Sequence, residues 1–329
     1  MVTALDKNKT TRRNRFRRPA AEATTEWKLR RAGGLRILEA NTCAKISWLV
    51  HGFSTHPGGL SELPSAAQQT HRGAPRKAER VLNLGFADWD ARERVLENRE
   101  RLLHALGAEK FRVITLRQIH SDIVHVAPTN GAAESGPAPK GDALITREAR
   151  VLLTVQTADC IPILLADTKR RVIAAIHSGW RGTLQRIAAK TLGRMQMEFG
   201  TRPKDAIAAL GPGIGRCCYE VGEEVAKEFY AQFPNARDWF DGPFDALAAG
   251  ESDPSWLPWL TMMPPGHQSA PPRVHLDLIA ANRAILTEAG VAPARISSSG
   301  YCTACRTDLF FSYRRERTTG RLMAAIGIR

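Results

Sequence analysis

Residues 151–182 read VLLTVQTADCIPILLADTKRRVIAAIHSGWRG, and this stretch sets the fold class. Two apolar runs, IPILLAD and RVIAAIH, flank the polar turn DTKR, so they read as an antiparallel hairpin. With the turn centred between Thr168 and Lys169, Asp167 faces Arg170 and Cys160 faces His177. Directly opposed residues of such a pair have Cβ atoms about 4.5–5.5 Å apart and share a face. A thiolate and an imidazole so placed can share one metal ion. Cys160 closes the polar stretch TADC and His177 opens HSGWRG, so both stand at strand ends. A lone cysteine is normally a small core hydrophobe, and a lone histidine is normally hydrogen-bonded in a core or solvated. The shared register is what makes these two a candidate site.

Working outward, His120 ends a third β-rich run, FRVITLRQIH, and is followed by Ser121 and Asp122. It completes a His-Cys-His set, and three protein ligands with a fourth position open is the catalytic zinc pattern. His125, in VHVAP, is the competitor for that role and reads as packed or solvated.

ISWLVHGFST reads as a strand, residues 91–106 as an amphipathic helix stopped by Gly107, and GTLQRIAAKTLGRMQMEFG as a helix closed by Gly200. DAIAALGPGIG reads as a strand entering a glycine turn, with a helix in YEVGEEVAKEFYAQF. LDLIAANRAILTEAG is a further helix, and FFSYRR and RLMAAIGI close the chain as strands. Residues 57–80 read as a long polar loop, and residues 235–273, rich in Trp, Pro and Gly, as an insertion or lid. Strands and helices alternate irregularly and neighbouring strands are hairpin-linked. That pattern predicts an α+β fold with mixed sheets and covering helices rather than a doubly wound parallel sheet.

The chain has 329 residues, 43% hydrophobic and 24% charged, with a net charge of +14, which is ordinary globular composition. Residues 1–20 carry seven Lys/Arg and one acid, so +6 of that charge lies in the N-terminal segment. Residues 1–35 therefore read as a disordered basic tail, and residues 36–329 as a single catalytic domain. A nucleic-acid-binding module would interleave aromatics with its basic residues; the basic residues 1–20 offer only Phe16, so no specific nucleic acid is expected. No apolar run spans a membrane and no secretory h-region opens the chain. Cysteines at 43, 160, 217, 218, 302 and 305 show no framework spacing, which points to a reduced compartment and a cytoplasmic protein.

Motifs spread from about residue 46 to the end resemble the YfiH/YlmD family, also called laccase-domain or multicopper polyphenol oxidase proteins. They include HGFSTHPGGLS, LNLGF, LRQIHSDIV, DALIT, TADCIPILLAD, VIAAIHSGWRGT, GPGIGRCCYEVGEEV and CTACRTDLFFSYRRE. The resemblance implies a four-layer α-β-β-α sandwich of the YfiH-like type. It implies zinc, with copper as the alternative, on His120, Cys160 and His177. It also implies purine nucleoside chemistry in a monomer: phosphorolysis of adenosine, inosine and methylthioadenosine with phosphate as co-substrate, and adenosine deamination. The alternatives are a peptidoglycan-precursor editing hydrolase and a copper-dependent polyphenol oxidase. For such chemistry Arg181 and Arg117 are the nearest cationic candidates for an anion site, Asn83 for sugar or base, and Gln118 for orienting His120 or touching substrate. Two positions depart from the family pattern. His56 stands where an arginine is usual, which puts an anion contact in question, and Ser121 stands where glycine is common.

Three other signals carry less. GPGIG fails the GxGxxG register, since its sixth positions are Arg216 or Cys218. Cys302 and Cys305 form a CxxC with no second such pair, and Cys217–Cys218 read as free thiols. Trp256, Trp259, Met262 and Met263 read as a surface loop packed by its own aromatics.

Overall fold

The computed structural model describes residues 26–64, 80–128, 137–242 and 274–329. The basic segment at 1–25, most of the 57–80 stretch, and the loop with its Trp and Met residues lie outside them.

The described chain opens with a hairpin, β1 (Trp27–Ala32) and β2 (Leu35–Ala40), then one helical turn, α1 (Asn41–Ala44), and β3 (Leu49–Ser54). Two short strands, β4 (Pro57–Glu62) and β5 (Arg80–Val81), precede helix α2 (Arg92–Leu106). Next come β6 (Arg112–Ile114), β7 (Val124–Val126), β8 (Ala143–Thr146), β9 (Val151–Thr157), β10 (Ile161–Asp167) and β11 (Val172–Ser178). Helices α3 (Trp180–Leu184) and α4 (Ile187–Phe199) follow, then β12 (Ala206–Leu210), β13 (Glu220–Val221) and α5 (Glu223–Gln232). The chain ends with β14 (Phe240–Asp241), β15 (Val274–Leu276), α6 (Leu278–Glu288), β16 (Ile296–Ser298), α7 (Tyr313–Glu316) and β17 (Leu322–Ile328).

Two six-stranded sheets carry the fold, ordered β1-β2-β3-β17-β9-β6 and β16-β12-β10-β11-β8-β7. Both are mixed: β6 runs parallel to β9, β7 to β8 and β12 to β16, among antiparallel neighbours. Side chains alternate between faces along a strand, and the central strands bury both faces. On β9, Leu153 and Val155 face the other sheet, while Leu152 faces α2. On β10, Leu164 and Ala166 enter the inter-sheet core, while Ile163 and Leu165 pack under α4, α5 and α6. Strands buried on both sides read as unbroken apolar runs, which is why IPILLAD and RVIAAIH show no polar alternation. The result is an α-β-β-α sandwich with α2 outside one sheet and α4, α5 and α6 outside the other.

Several boundaries differ from the sequence reading. Residues 27–32, assigned to a disordered tail, form an edge strand, because Gly33 and Gly34 both adopt positive φ and fold WKLRRA back onto LRILEA. Part of the 57–80 loop is strand β4 paired with β5. FFSYRR is not a strand: Ser312 Oγ accepts the Arg315 N–H at 3.3 Å and caps the turn α7. The long helix after HSGWRG is broken at Arg186, whose φ is +58°. Among the described residues no helix is long and apolar enough to cross a membrane.

Candidate metal centre and its cavity

The three donors come from three separate links. Cys160 lies in the connection between β9 of one sheet and β10 of the other. His177 is near the end of β11. His120 follows β6, which stops at Ile114, short of the strand expected through LRQIH. Those residues exchange sheet bonds for side-chain ones. Gln118 Nε2 donates to Gln156 O at 2.8 Å, and Gln156 N donates to Gln118 Oε1 at 2.7 Å.

Asp142, fully buried just ahead of β8, organises the site. Its carboxylate accepts the backbone N–H groups of Ile119, His120 and Ser121 at 3.2, 3.1 and 2.6 Å, and the Ser121 hydroxyl at 2.7 Å. It also accepts from His177 Nδ1 at 2.8 Å, which leaves Nε2 as the donor atom toward a metal. These bonds hold His120 at φ +59°, a left-handed conformation that costs a non-glycine residue about 1–2 kcal/mol. Asp142 was not singled out in the sequence, although it opens the DALIT motif. Ser121 uses its hydroxyl here in a way that glycine could not.

His120 Nε2 lies 3.8 Å from Cys160 Sγ, and the His120 and His177 rings are 4.9 Å apart at 73°. One donor atom from each of the three lies within 4.8 Å of the others. Tetrahedral zinc or copper with Zn–S of about 2.3 Å and Zn–N of about 2.0–2.1 Å needs S···N edges of about 3.5 Å, so the donor set fits a metal ion. The fourth side is open to the cavity. Gly179 is needed beside it: a Cβ there would stand 2.9 Å from Cys160 Sγ and 3.2 Å from the His120 ring.

The electrostatics favour a thiolate at Cys160. Burial alone would raise the Cys160 thiol, but His177 and the hydrogen bond from His120 outweigh it and lower its pKa to about 6. Burial would lower His177, but Cys160 and Asp142 raise it to about 9. Asp142 is held at about 2 against its own burial by His177 and Ser121. Without a metal the pair is therefore thiolate and imidazolium at neutral pH.

The register differs from the sequence reading. His177 pairs with Pro162 and Asp167 with Val172, one residue pair removed from the expected alignment. The turn comprises residues 168–171: Asp167 Oδ1 accepts the N–H groups of Lys169 and Arg170 at 2.8 and 3.0 Å, and Arg171 takes φ +53°. A shift of two positions preserves the face, so Cys160 is a diagonal rather than a direct neighbour of His177 and still reaches it.

A cavity of about 680 Å³ opens on the trio, within the range of small-molecule sites. Its walls include Gln118, Trp180, Arg181, Tyr219, Arg314 and Arg317. Arg181 lies over the Trp180 ring at 4.3 Å, and Arg314 over Tyr219 at 5.2 Å. Burial and the neighbouring Cys160 push the Tyr219 phenol up, so it stays a neutral donor. Tyr219, Arg314 and Arg317 belong to CCYEVG and SYRRER, where only chain folding reveals their position.

Arg181 and Gln118 thus line the cavity, whereas Arg117 and Asn83 do not. Arg117 is exposed, its backbone bridged to Lys140. Asn83 is fully buried: Nδ2 donates to Gly85 O and Asp90 Oδ2, and Oδ1 accepts from Gly85 N and Arg321 N. It reaches the cavity only by holding Arg321. His125 bonds Lys140 O at 2.9 Å, away from the trio. His56 is buried against Phe311 with Nε2 at 2.9 Å from Thr307 O, so it makes no anion contact in the cavity.

Residues 50–329 match the family described as multi-copper polyphenol oxidoreductase laccase. The chain belongs to this family. A purine nucleoside phosphorylase of Deinococcus radiodurans is 38% identical over 299 residues, covering 90% of this chain and 94% of that one. Adenosine deaminase RL5, from an unknown prokaryotic organism, is 35% identical over 245 residues, 73% of this chain and 84% of the relative. The crystal structure of Bacillus licheniformis hypothetical protein YfiH superposes with a TM-score of 0.73 at 26% identity, covering 93% of this chain and all of that one. The laccase-family chain thus carries the YfiH fold, and its His-Cys-His group lines the cavity described above.

Proposed function

We propose that this chain is a zinc-dependent purine nucleoside enzyme that splits adenosine, inosine and methylthioadenosine with phosphate and also deaminates adenosine. One observation carries the reading: His120, Cys160 and His177 converge on a cavity of about 680 Å³ whose walls combine arginines with aromatic rings. The relatives named as purine nucleoside phosphorylase and adenosine deaminase support it.

A divalent ion on the trio would supply Lewis acidity at its open position. The protein's own groups supply the rest. Trp180 and Tyr219 offer faces and a phenol donor to a purine. Arg181, Arg314 and Arg317 offer guanidinium groups to phosphate, which they can grip bidentately. Asp142 orients the His177 ring through Nδ1 and holds the His120 loop through its backbone, so both rings are pre-positioned, and His177 would release its Nε2 proton as a metal binds. Gln118 pins that loop to β9.

The test is product analysis on adenosine with and without phosphate, alongside metal analysis of protein purified without added metal. Ribose 1-phosphate and adenine formed only with phosphate, and inosine without it, are expected with zinc bound. Oxidation of phenols with bound copper, or release of an amino acid from a peptidoglycan precursor with nucleosides inert, would replace the proposal. His120→Ala, Cys160→Ala and His177→Ala should each abolish nucleoside turnover while leaving the fold intact. Arg181→Ala should raise the phosphate KM; an unchanged value removes Arg181 from the anion site.

A further inference from the structure

A second cluster of metal-binding side chains lies outside this site. Cys217, Cys218, Cys302 and Cys305 place their sulfurs within 4.8 Å of one another. Cys305 Sγ is 3.5 Å from Cys217 Sγ and 3.4 Å from Cys218 Sγ. None is in a disulfide. The sequence offers no second CxxC, and the partner pair is instead the adjacent Cys217–Cys218, 87 positions before Cys305 in the case of Cys218.

We infer that these four cysteines form a structural tetrathiolate zinc site, distinct from the His-Cys-His centre. Four thiolates on arms of about 2.3 Å form a tetrahedron with edges of about 3.8 Å, close to the observed separations. An iron–sulfur cluster would hold the same sulfurs apart around its inorganic core, and a disulfide would bring two of them to about 2.05 Å. The surroundings suit thiolates. Gly215 N donates to Cys302 Sγ at 3.2 Å, and Arg315 Nη2 lies 3.9 Å from Cys218 Sγ. The Cys302–Cys305 turn is closed by Cys305 N and Arg306 N donating to Cys302 O at 3.2 and 3.0 Å.

The location gives the site its purpose. The cysteines join the connection after β12 to the connection after β16, neither of which has much regular structure of its own. Both end in cavity walls: Tyr219 follows Cys218, and Arg314 lies beyond Cys305. Between Cys302 and Cys305, Thr303 donates to Asp159 Oδ1 at 2.6 Å, and Arg314 N donates to Asp159 Oδ2 at 2.6 Å. Asp159 immediately precedes Cys160. A zinc clip here would therefore fasten the substrate-facing wall to the catalytic thiol through one carboxylate.

The experiment is zinc stoichiometry on reduced full-length protein, reconstituted with zinc alone. Wild type should bind two equivalents per chain. Cys160→Ala should retain one, whose X-ray absorption shows an all-sulfur shell at about 2.3 Å. Cys302→Ser should lose one and melt at a lower temperature. Because that variant could fail to fold, wild type supplies a second readout: alkylation of Cys217 and Cys305 should be slow with zinc bound and fast after chelation. A Cys160→Ala protein that binds no zinc, a shell of nitrogen or oxygen in it, or alkylation indifferent to chelator would each overturn the inference.

Discussion

At Asp142 a single carboxylate satisfies three backbone donors, a hydroxyl and an imidazole. Hydrogen bonds to a charged acceptor are worth about 1.5–3 kcal/mol each, enough to hold His120 in its left-handed conformation. Asp142→Asn keeps the shape but not the charge or both acceptors, so zinc affinity should fall about 10–100-fold. Competition with a chromophoric chelator measures this, and an unchanged affinity would remove Asp142 from the site's support. The same electrostatics separate the buried thiol of Cys43 from the cavity-lining thiol of Cys160. Burial pushes Cys43 up to about 12, while His177 and His120 bring Cys160 to about 6. In metal-free protein, iodoacetamide labelling of Cys160 should rise through a midpoint near pH 6 and leave Cys43 untouched up to pH 9, as peptide mapping can read. A Cys160 midpoint near the ordinary thiol value would refute the thiolate–imidazolium pair.

The β10–β11 hairpin shows what sequence can and cannot reveal about an element. Its strands, their faces and the joining of Cys160 to His177 are legible in apolar runs bracketing DTKR. The alignment was not, because it depends on Asp167 closing a four-residue turn rather than on hydrophobicity, which is the same in both registers. Asp167→Ala removes those two turn bonds from a fully buried position and should cost about 1–3 kcal/mol. Urea unfolding would show it as a lower midpoint at constant slope; no change would mean the turn holds without Asp167. The His-Cys-His set was legible for the same reason as the hairpin, since each donor ends or follows a β-rich run. Tyr219, Arg314 and Arg317 were not, because irregular segments bring them in and no periodicity marks such segments. Asn83 misled in the opposite way: a polar residue in LNLG looks available for substrate, yet its four amide bonds are internal.

Across the whole molecule, two sheets share one apolar interlayer, and polar groups near it are constrained. His51, on β3, is buried and accepts the Ala40 N–H on Nε2 at 3.0 Å. Burial, with Arg30 nearby, lowers its pKa from 6.5 to about 4. Between those values the unfolded chain binds the proton and the folded one does not. The His51 contribution is therefore complete above about pH 6.5 and is lost as pH falls toward 4, about 3 kcal/mol in all. Urea titrations at pH 7 and pH 4.5 should show this difference. His51→Gln, which retains an acceptor but cannot titrate, should flatten it; an equal slope in both proteins would assign the acid loss elsewhere. The polypeptide changes layers at residues 158–160, and this crossing has a consequence for assembly. His120 follows a strand of one layer, His177 belongs to the other, and Cys160 sits on the thread between them, so a half-molecule owns only a partial claw. Tight chelation becomes available only once the layers have docked, and the grip on the ion then serves as a gauge of how well they are seated.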